Sequence, residues 1–175
     1  MLFLFLLSTL AFAAPVPMTS SSMLISSKKG LFFSEYGFSI NADGTSWNHH
    51  LPPKRNKYVI TEYRHPHIRY GVQEALTIRV DKTKKSGTLK SYMKKWMKDY
   101  PRFGFQILDS KPIKVKGQLA YMLDLINKDN KRQIRQVVFL KDQNAVILTC
   151  RGHRQVFKKT VKSCNQIIRN FSWIN

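Results

Sequence analysis

The sequence predicts an α+β fold, an α/β/α sandwich whose largely antiparallel sheet is covered by helices on both faces. Three observations carry that prediction. Gln118 to Asn127, Arg132 to Lys141 and Ala145 to Cys150 are strand-like runs separated by short polar turns, which makes an antiparallel meander. Both faces of the meander are apolar: Leu119, Tyr121, Leu123 and Leu125 alternate with Ala120, Met122 and Ile126, and side chains alternate across a strand. One amphipathic segment precedes the meander and another follows it, so each face has a helix available to bury it.

Met1 to Ala13 is almost wholly apolar and closes on Ala11, Phe12 and Ala13, the small-x-small pattern of a signal-peptidase site. Cleavage after Ala13 is expected, because cleavage after Ala14 would place Pro15 just past the scissile bond. The run is too short to span a bilayer and contains no Cys to carry a lipid, so the mature chain is expected to have no transmembrane span. Residues 14–30 turn to Pro, Ser, Thr and Met and read as a flexible tether. A single domain is then expected over 31–175, since 43% hydrophobic and 12% aromatic residues suffice for one core.

Order is expected from Leu31, Phe32 and Phe33. Tyr36, Phe38 and Ile40 alternate as one strand before an Asn41 to Gly44 turn, and Trp47 folds back as an anchor. His49 to Asn56, with Pro52 and Pro53, reads as a loop, and Tyr58 to Tyr63 and Ala75 to Val80 as strands. Thr88 can cap a helix with Leu89, Tyr92, Met93, Trp96, Met97 and Tyr100 on its apolar face, ended by Pro101. Phe105 to Leu108 and Ile113 to Val115 read as two short strands interrupted around Pro112. After the meander, Phe157, Thr160, Val161, Cys164, Ile167, Ile168 and Phe171 recur at helical spacing, in a helix expected to start near His153.

The two cysteines, Cys150 and Cys164, lie in this last stretch. An exported chain with an even pair permits a disulfide. A helix starting near His153 carries Cys164 roughly 15 Å from the turn, so a bridge requires a later start or a wide loop. The alternative is a pair of buried free thiols, and both readings stand at this level.

Lys and Arg outnumber Asp and Glu by 30 to 10, a formal charge of +20. That excess favours an acidic partner: a protein, lipid or polymer of the cell envelope. Export places the chain in the periplasm or outside the cell, which disfavours nucleic acid. Lys90, Lys94 and Lys98 form an i, i+4, i+8 row opposite the first apolar stripe, and Arg154, Lys158 and Lys162 a similar row on the second helix. Like charges at this spacing destabilise a helix by roughly 0.2–0.5 kcal/mol per pair. An anion-facing surface tolerates that repulsion, and so does a merely solvated lysine face. The first reading makes the two rows an anion-binding face. Tyr92 and Trp96 fall on the apolar stripe and read as core.

No catalytic constellation stands out. The chain has no GxSxG, no phosphate-binding Gly loop and no HExxH. Glu62, Glu74, Asp81, Asp99, Asp109 and Asp124 are scattered, with no recognisable carboxylate pair. Either cysteine with His153 imitates a thiol–imidazole pair, but both thiols are better explained by packing or pairing. His65 and His67, with His49 and His50, imitate a metal site, but loop histidines at unfixed spacing are more often unliganded. No catalytic residue, metal ligand or cofactor is assigned. A non-enzymatic binding or assembly module is the leading reading, with a periplasmic enzyme of unknown reaction or a nucleic-acid binder as alternatives.

The Tyr36-Gly37-Phe38-Ser39-Ile40 opening with Trp47, the mid-chain amphipathic helix, the meander ending Val146 to Cys150 and a closing helix ending Phe171-Ser172-Trp173 resemble the PsbP/DcrB-like superfamily. The resemblance spans residues 31–175 and rests on structural signatures, without the Pro usually found before the opening Trp. It implies an α/β/α fold and a non-enzymatic binding or assembly role beside membranes, and it transfers no active-site residue.

Overall fold

A computed structural model describes residues 30, 32–51, 58–84, 87–127, 129 and 131–174. The expected signal peptide, the tether up to residue 29, Pro52 and Pro53 lie outside the described residues. The fold is mixed α+β, built on a large antiparallel sheet with two helices.

Ten strands and two helices are described, in the order β1 (Phe32–Ser34), β2 (Phe38–Ile40), β3 (Asn48–His50), β4 (Val59–Arg64), β5 (Ala75–Lys82), α1 (Leu89–Asp99), β6 (Phe105–Val115), β7 (Gln118–Asn127), β8 (Arg132–Lys141), β9 (Asn144–His153), α2 (Phe157–Arg169) and β10 (Ser172–Trp173). Seven strands form one sheet in the order β3-β4-β5-β9-β8-β7-β6, and β1-β2-β10 form a second. Every pairing in both sheets is antiparallel.

The expected meander is present, as β7, β8 and β9 pair consecutively. The opening differs from the expected single strand. Gly37 takes φ +77° and its N–H donates to the Ser34 carbonyl at 3.0 Å, so the chain reverses there into a β1–β2 hairpin. His49 and His50, expected in a loop, belong to an edge strand, Asn48–His50, paired to β4. Its two adjacent histidines give no strand pattern, and the pairing with Glu62, Tyr63 and Arg64 supplies the order.

Phe105–Val115 is one strand of 11 residues where two were expected. Pro112 sits opposite Tyr121 in β7, and β6 is the outermost strand. A proline is tolerated at a sheet edge because its missing N–H interrupts no inner ladder. A register shift between Ile107 and Asp109 leaves Leu108 as the extra residue, turned out to solvent.

Helix α1 begins as expected. Thr88 is extended (φ −92°, ψ 156°), its Oγ1 accepts from the Ser91 N–H at 3.1 Å, and Ser91 Oγ accepts from the Thr88 N–H at 3.0 Å. This reciprocal capping box satisfies two backbone donors left open at the helix start. Pro101 lies within a 3₁₀ turn over Tyr100–Phe103, after which Gly104 at φ +78° turns the chain into β6.

Helix α2 starts later than expected. β9 continues to His153, and a 3₁₀ turn at Arg154–Val156 folds the chain back before Phe157. The helix then runs antiparallel over β9. Gly152 lies under Thr160, where an added Cβ would stand 3.0 Å from the threonine side chain. Two residues back along the strand is about 6.6 Å, and four residues on along the helix is about 6 Å, so the next matched pair is Cys150 and Cys164. They are joined in a disulfide with Cα atoms 5.9 Å apart, and both are fully buried. This resolves the two cysteine readings in favour of the bridge.

The core divides by strand alternation. Val146, Leu148 and Cys150 of β9 and Val137 and Phe139 of β8 join a cluster with Phe157, Cys164, Ile167 and Ile168 of α2 and with Phe38, Ile40, Trp47 and Phe171. Ala145 and Ile147 of β9 and Val138 of β8 join a second cluster with Met93 of α1 and with Leu123 and Leu125.

Candidate functional site

The α1 stripe packs as the sequence predicts. Met93 is buried, while Leu89, Tyr92, Met97 and Tyr100 are half-buried against the second cluster. That leaves Lys90, Lys94 and Lys98 exposed, joined by Lys95. The helix has no acidic side chain in its first turn, and Asp99 at its end is the one acid along it. Without a Glu at i+4, four ammonium groups repel one another along about 12 Å of helix.

At the start of α1 lies a cleft of about 650 Å³, walled by Val80 to Lys84 of β5 and its exit, by Gly87, Ser91, Tyr92, Lys95 and Trp96, and by Tyr58. The one acid lining it, Asp81, is already engaged. Tyr92 Oη donates to Asp81 Oδ2 at 2.6 Å, and the Arg79 guanidinium holds the same carboxylate at 3.0 Å while lying over the Trp96 ring at 5.0 Å. Burial first, and then the hydrogen bond to Asp81, push the Tyr92 phenol well above its usual range, so it acts there as a donor. Lys82 Nζ turns to Asn144 Oδ1 at 2.7 Å, whereas Lys84 and Lys95 are exposed at the rim. The Thr83 hydroxyl is buried without a hydrogen-bond partner among the described residues. The arrangement suits binding an anion against aromatic walls.

On α2 the basic row is shorter than expected. Lys158 and Lys162 are exposed on the helix with Lys159, but Arg154 lies in the preceding 3₁₀ turn, because β9 runs on to His153. The i, i+4, i+8 row on the second helix is thus corrected to a pair, with Arg154 at its approach. Tyr92 and Trp96, read as core, are half-buried cleft walls. Lys82, Lys84 and Tyr58 were not found from sequence, since the exit of a strand and the start of a helix meet only once β5 and α1 are folded.

No protein-family model matches the chain, and no curated protein matches it in sequence. Among solved structures, the chain is similar to cyanobacterial PsbP (CyanoP) from Synechocystis sp. PCC 6803, with a TM-score of 0.58 and 12% identity over 92% of this chain and 98% of that one. The fold is PsbP-like. It is also similar to PA94 of Pseudomonas aeruginosa, a protein of unknown function, with a TM-score of 0.55 and 12% identity over 85% of this chain and 94% of that one.

Within this PsbP-like fold the remaining candidates take structural roles. Cys150 and Cys164 are bridged, so neither thiol is available to His153, whose Nδ1 instead accepts from the Gln155 N–H at 3.3 Å. His65 Nδ1 accepts from the His67 N–H at 3.0 Å, and its Nε2 lies 2.7 Å from the Arg69 guanidinium. His49 Nε2 lies 2.6 Å from Thr61 Oγ1. Among the described residues no three His, Cys, Asp or Glu side chains are grouped to hold a metal ion. The acids are mostly tied to cations: Arg64 to Glu62, Arg69 to Glu74 at 3.5 Å, and Arg135 to both oxygens of Asp124 at 2.7 Å. No helix among the described residues is long and apolar enough to cross a membrane.

Proposed function

We propose that this protein is an exported, non-enzymatic binding or assembly module that docks a basic surface onto an acidic component of the cell envelope. The observation that carries the reading is α1: Lys90, Lys94, Lys95 and Lys98 are all exposed with their repulsion unrelieved, and the cleft at the helix start adds Lys84. A helix that only needed solubility would gain stability from Glu at i+4, so an uninterrupted row of lysines is better suited to an external anion. The PsbP-like fold supports an accessory or regulatory role over a catalytic one. The buried disulfide and the apolar leader support an oxidising compartment, the periplasm or the exterior. In this reading the chain forms one α/β/α sandwich over 31–175. Alternation of β8 and β9 residues between the two core clusters supports α1 and α2 on opposite faces. The α2 lysines then form a second basic surface facing away from the first.

The test is retention of the protein on anionic vesicles and on a soluble polyanion as salt is raised. Screening shortens from about 10 Å at 0.1 M to about 3 Å at 1 M, so retention should fall steeply. Replacing Lys90, Lys94 and Lys98 by Gln should weaken retention while the melting temperature holds or rises, because i, i+4 repulsion is removed. Lys158→Gln with Lys162→Gln reports on the α2 surface. The charge control is Lys114→Gln, Lys116→Gln and Lys131→Gln, exposed positions in β6 and in turns. Lys111 is left in place, because within β6 it is paired with Asp109 at 2.7 Å. Equal losses from the control and both helix variants would refute a docking face on either helix.

A further inference from the structure

Across the sheet, Arg64 of β4 pairs with Ala75 of β5, and Ala75 pairs with Arg151 of β9. Directly paired residues point to the same face, so two arginines flank one small side chain, about 10 Å apart at strand spacing. Glu62 lies on that face one step along β4, and Arg132 one step beyond Arg151, opposite His153. This is the face that carries Ile147 and Val138 toward α1, but one row short of the arginines its residues from β4 to β8 are polar: Glu62, Thr77, Thr149 and Gln136.

Arg151 is the anomaly. It is half-buried, it makes no hydrogen bond or ion pair among the described residues, and its Nε is shielded from solvent with no acceptor. Arg64 Nε is likewise shielded without an acceptor, although the same guanidinium reaches Glu62 through its terminal nitrogen. Buried polar groups almost always have a partner, and a bound ion is one standard reason for an exception. Glu62 is 2% exposed and held by Arg64 through Oε1, and no hydrogen bond joins it to Arg151 among the described residues. Burial holds the Arg151 guanidinium below its usual range. Glu62 opposes that fall, and Arg132 and Arg64 add to it. Arg64 and Arg132 thus lie close enough to Arg151 for their charges to act on it.

We propose that Arg151, with Arg64 and Arg132, forms a binding site for the phosphate of a phosphomonoester on the open end of this sheet face. The planar guanidinium fork matches phosphate oxygens bidentately. A dianion also suits this row better than a monoanion, because the Nε atoms of both Arg151 and Arg64 are shielded without an acceptor on either side of Ala75. The half-buried position within the sheet favours a phosphate at the end of a small molecule or headgroup over a broad polyanionic surface. The site is on the sheet, distinct from the exposed lysines of the helices, so it stands or falls apart from the docking reading.

The experiment titrates the full chain with inorganic phosphate and with glycerol 3-phosphate by calorimetry, at constant ionic strength set with chloride, and with phosphatidic acid vesicles by sedimentation. Saturable binding is expected. Arg151→Lys keeps the charge but loses the fork and should weaken binding by about tenfold. Arg64→Gln should weaken it comparably, with melting curves confirming that both variants fold. The Lys90, Lys94 and Lys98 to Gln variant should bind the soluble ester unchanged. Binding of glycerol 3-phosphate assigns a soluble ester. Binding only to phosphatidic acid vesicles, lost in Arg151→Lys, assigns a lipid headgroup and supports the same site. The proposal is overturned if no probe binds saturably, if Arg151→Lys binds as the parent does, or if the α1 variant loses as much affinity as the arginine variants.

Discussion

Tyr63 ties separate parts of the chain together through one hydroxyl. Fully buried in β4, it directs its Oη at the carbonyls of Gly30 and Ile40, each 2.8 Å away. Its neighbour across the pair with β3, His49, packs beside it with ring centres 5.4 Å apart. Burial, and secondarily the nearby His50, hold the His49 imidazole below the ordinary range. The folded state therefore binds its proton less readily than the unfolded chain does. Its stabilising contribution is fully present above the ordinary imidazole value of about 6.5 and is lost as pH falls through the lower folded value. Melting temperature should fall as pH is lowered from neutrality into that window. His49→Gln, which can still reach Thr61, should flatten the slope; an unchanged slope would assign the acid sensitivity to other groups.

At the scale of elements, α1 shows how local signals and docking load coexist. Its lysines work against helix formation, so its start depends on the Thr88–Ser91 capping box. Thr88→Ala removes one side of that box and should cost about 1 kcal/mol, which is roughly 2–4 °C in melting temperature for a chain of this size. Combining it with Lys90, Lys94 and Lys98 to Gln should recover part of the loss, because relief of repulsion and loss of the cap act on the same helix. A thermal melt of the single and combined variants checks this, and no loss in Thr88→Ala would show that packing of Met93 alone holds the helix. Both halves of this element were legible in sequence, since a Thr cap and a three-and-four apolar stripe are local signals. Phe105–Val115 was not. Pro112 reads as an interruption within any window of sequence, and only its place on the outermost strand makes it harmless.

The whole molecule is closed by the crossing of α2 over β9. The Cys150–Cys164 bridge lies inside that crossing, beneath the cluster that also holds Phe38, Phe139 and Phe171. Phe139 and Phe171 stack with ring centres 4.2 Å apart, so the chain after α2 is anchored to β8 before β10 joins the small sheet. With the cysteines 14 positions apart, the bridge should contribute about 3 kcal/mol in the chain-entropy description. Full reduction in denaturant followed by refolding with reductant present should lower the melting temperature by about 6–12 °C. The reduced chain should be heavier by two hydrogens. Complete thiol labelling of denatured protein before any reductant is added would show instead that the thiols are free.

The sequence by itself determined what depends on near neighbours: the apolar periods of both helices, the meander of β7 to β9 with apolar residues on both faces, the charge of +20 and the exposed lysines on α1. It also carried the resemblance that led to a PsbP-like fold, which the structure has. Tertiary structure decided what depends on residues far apart in the chain. It set the start of α2, because β9 continues under pairing with β5 and β8 to His153, and with that it set the disulfide. It made Asn48–His50 a strand through β4. It brought Arg64 and Arg151, far apart in the chain, to one row of a sheet face on either side of Ala75, and it brought Thr160 to Glu74 across 86 positions. Side-chain periodicity says which face of a strand a residue occupies, but which strands lie side by side is fixed by cooperative burial over the whole core.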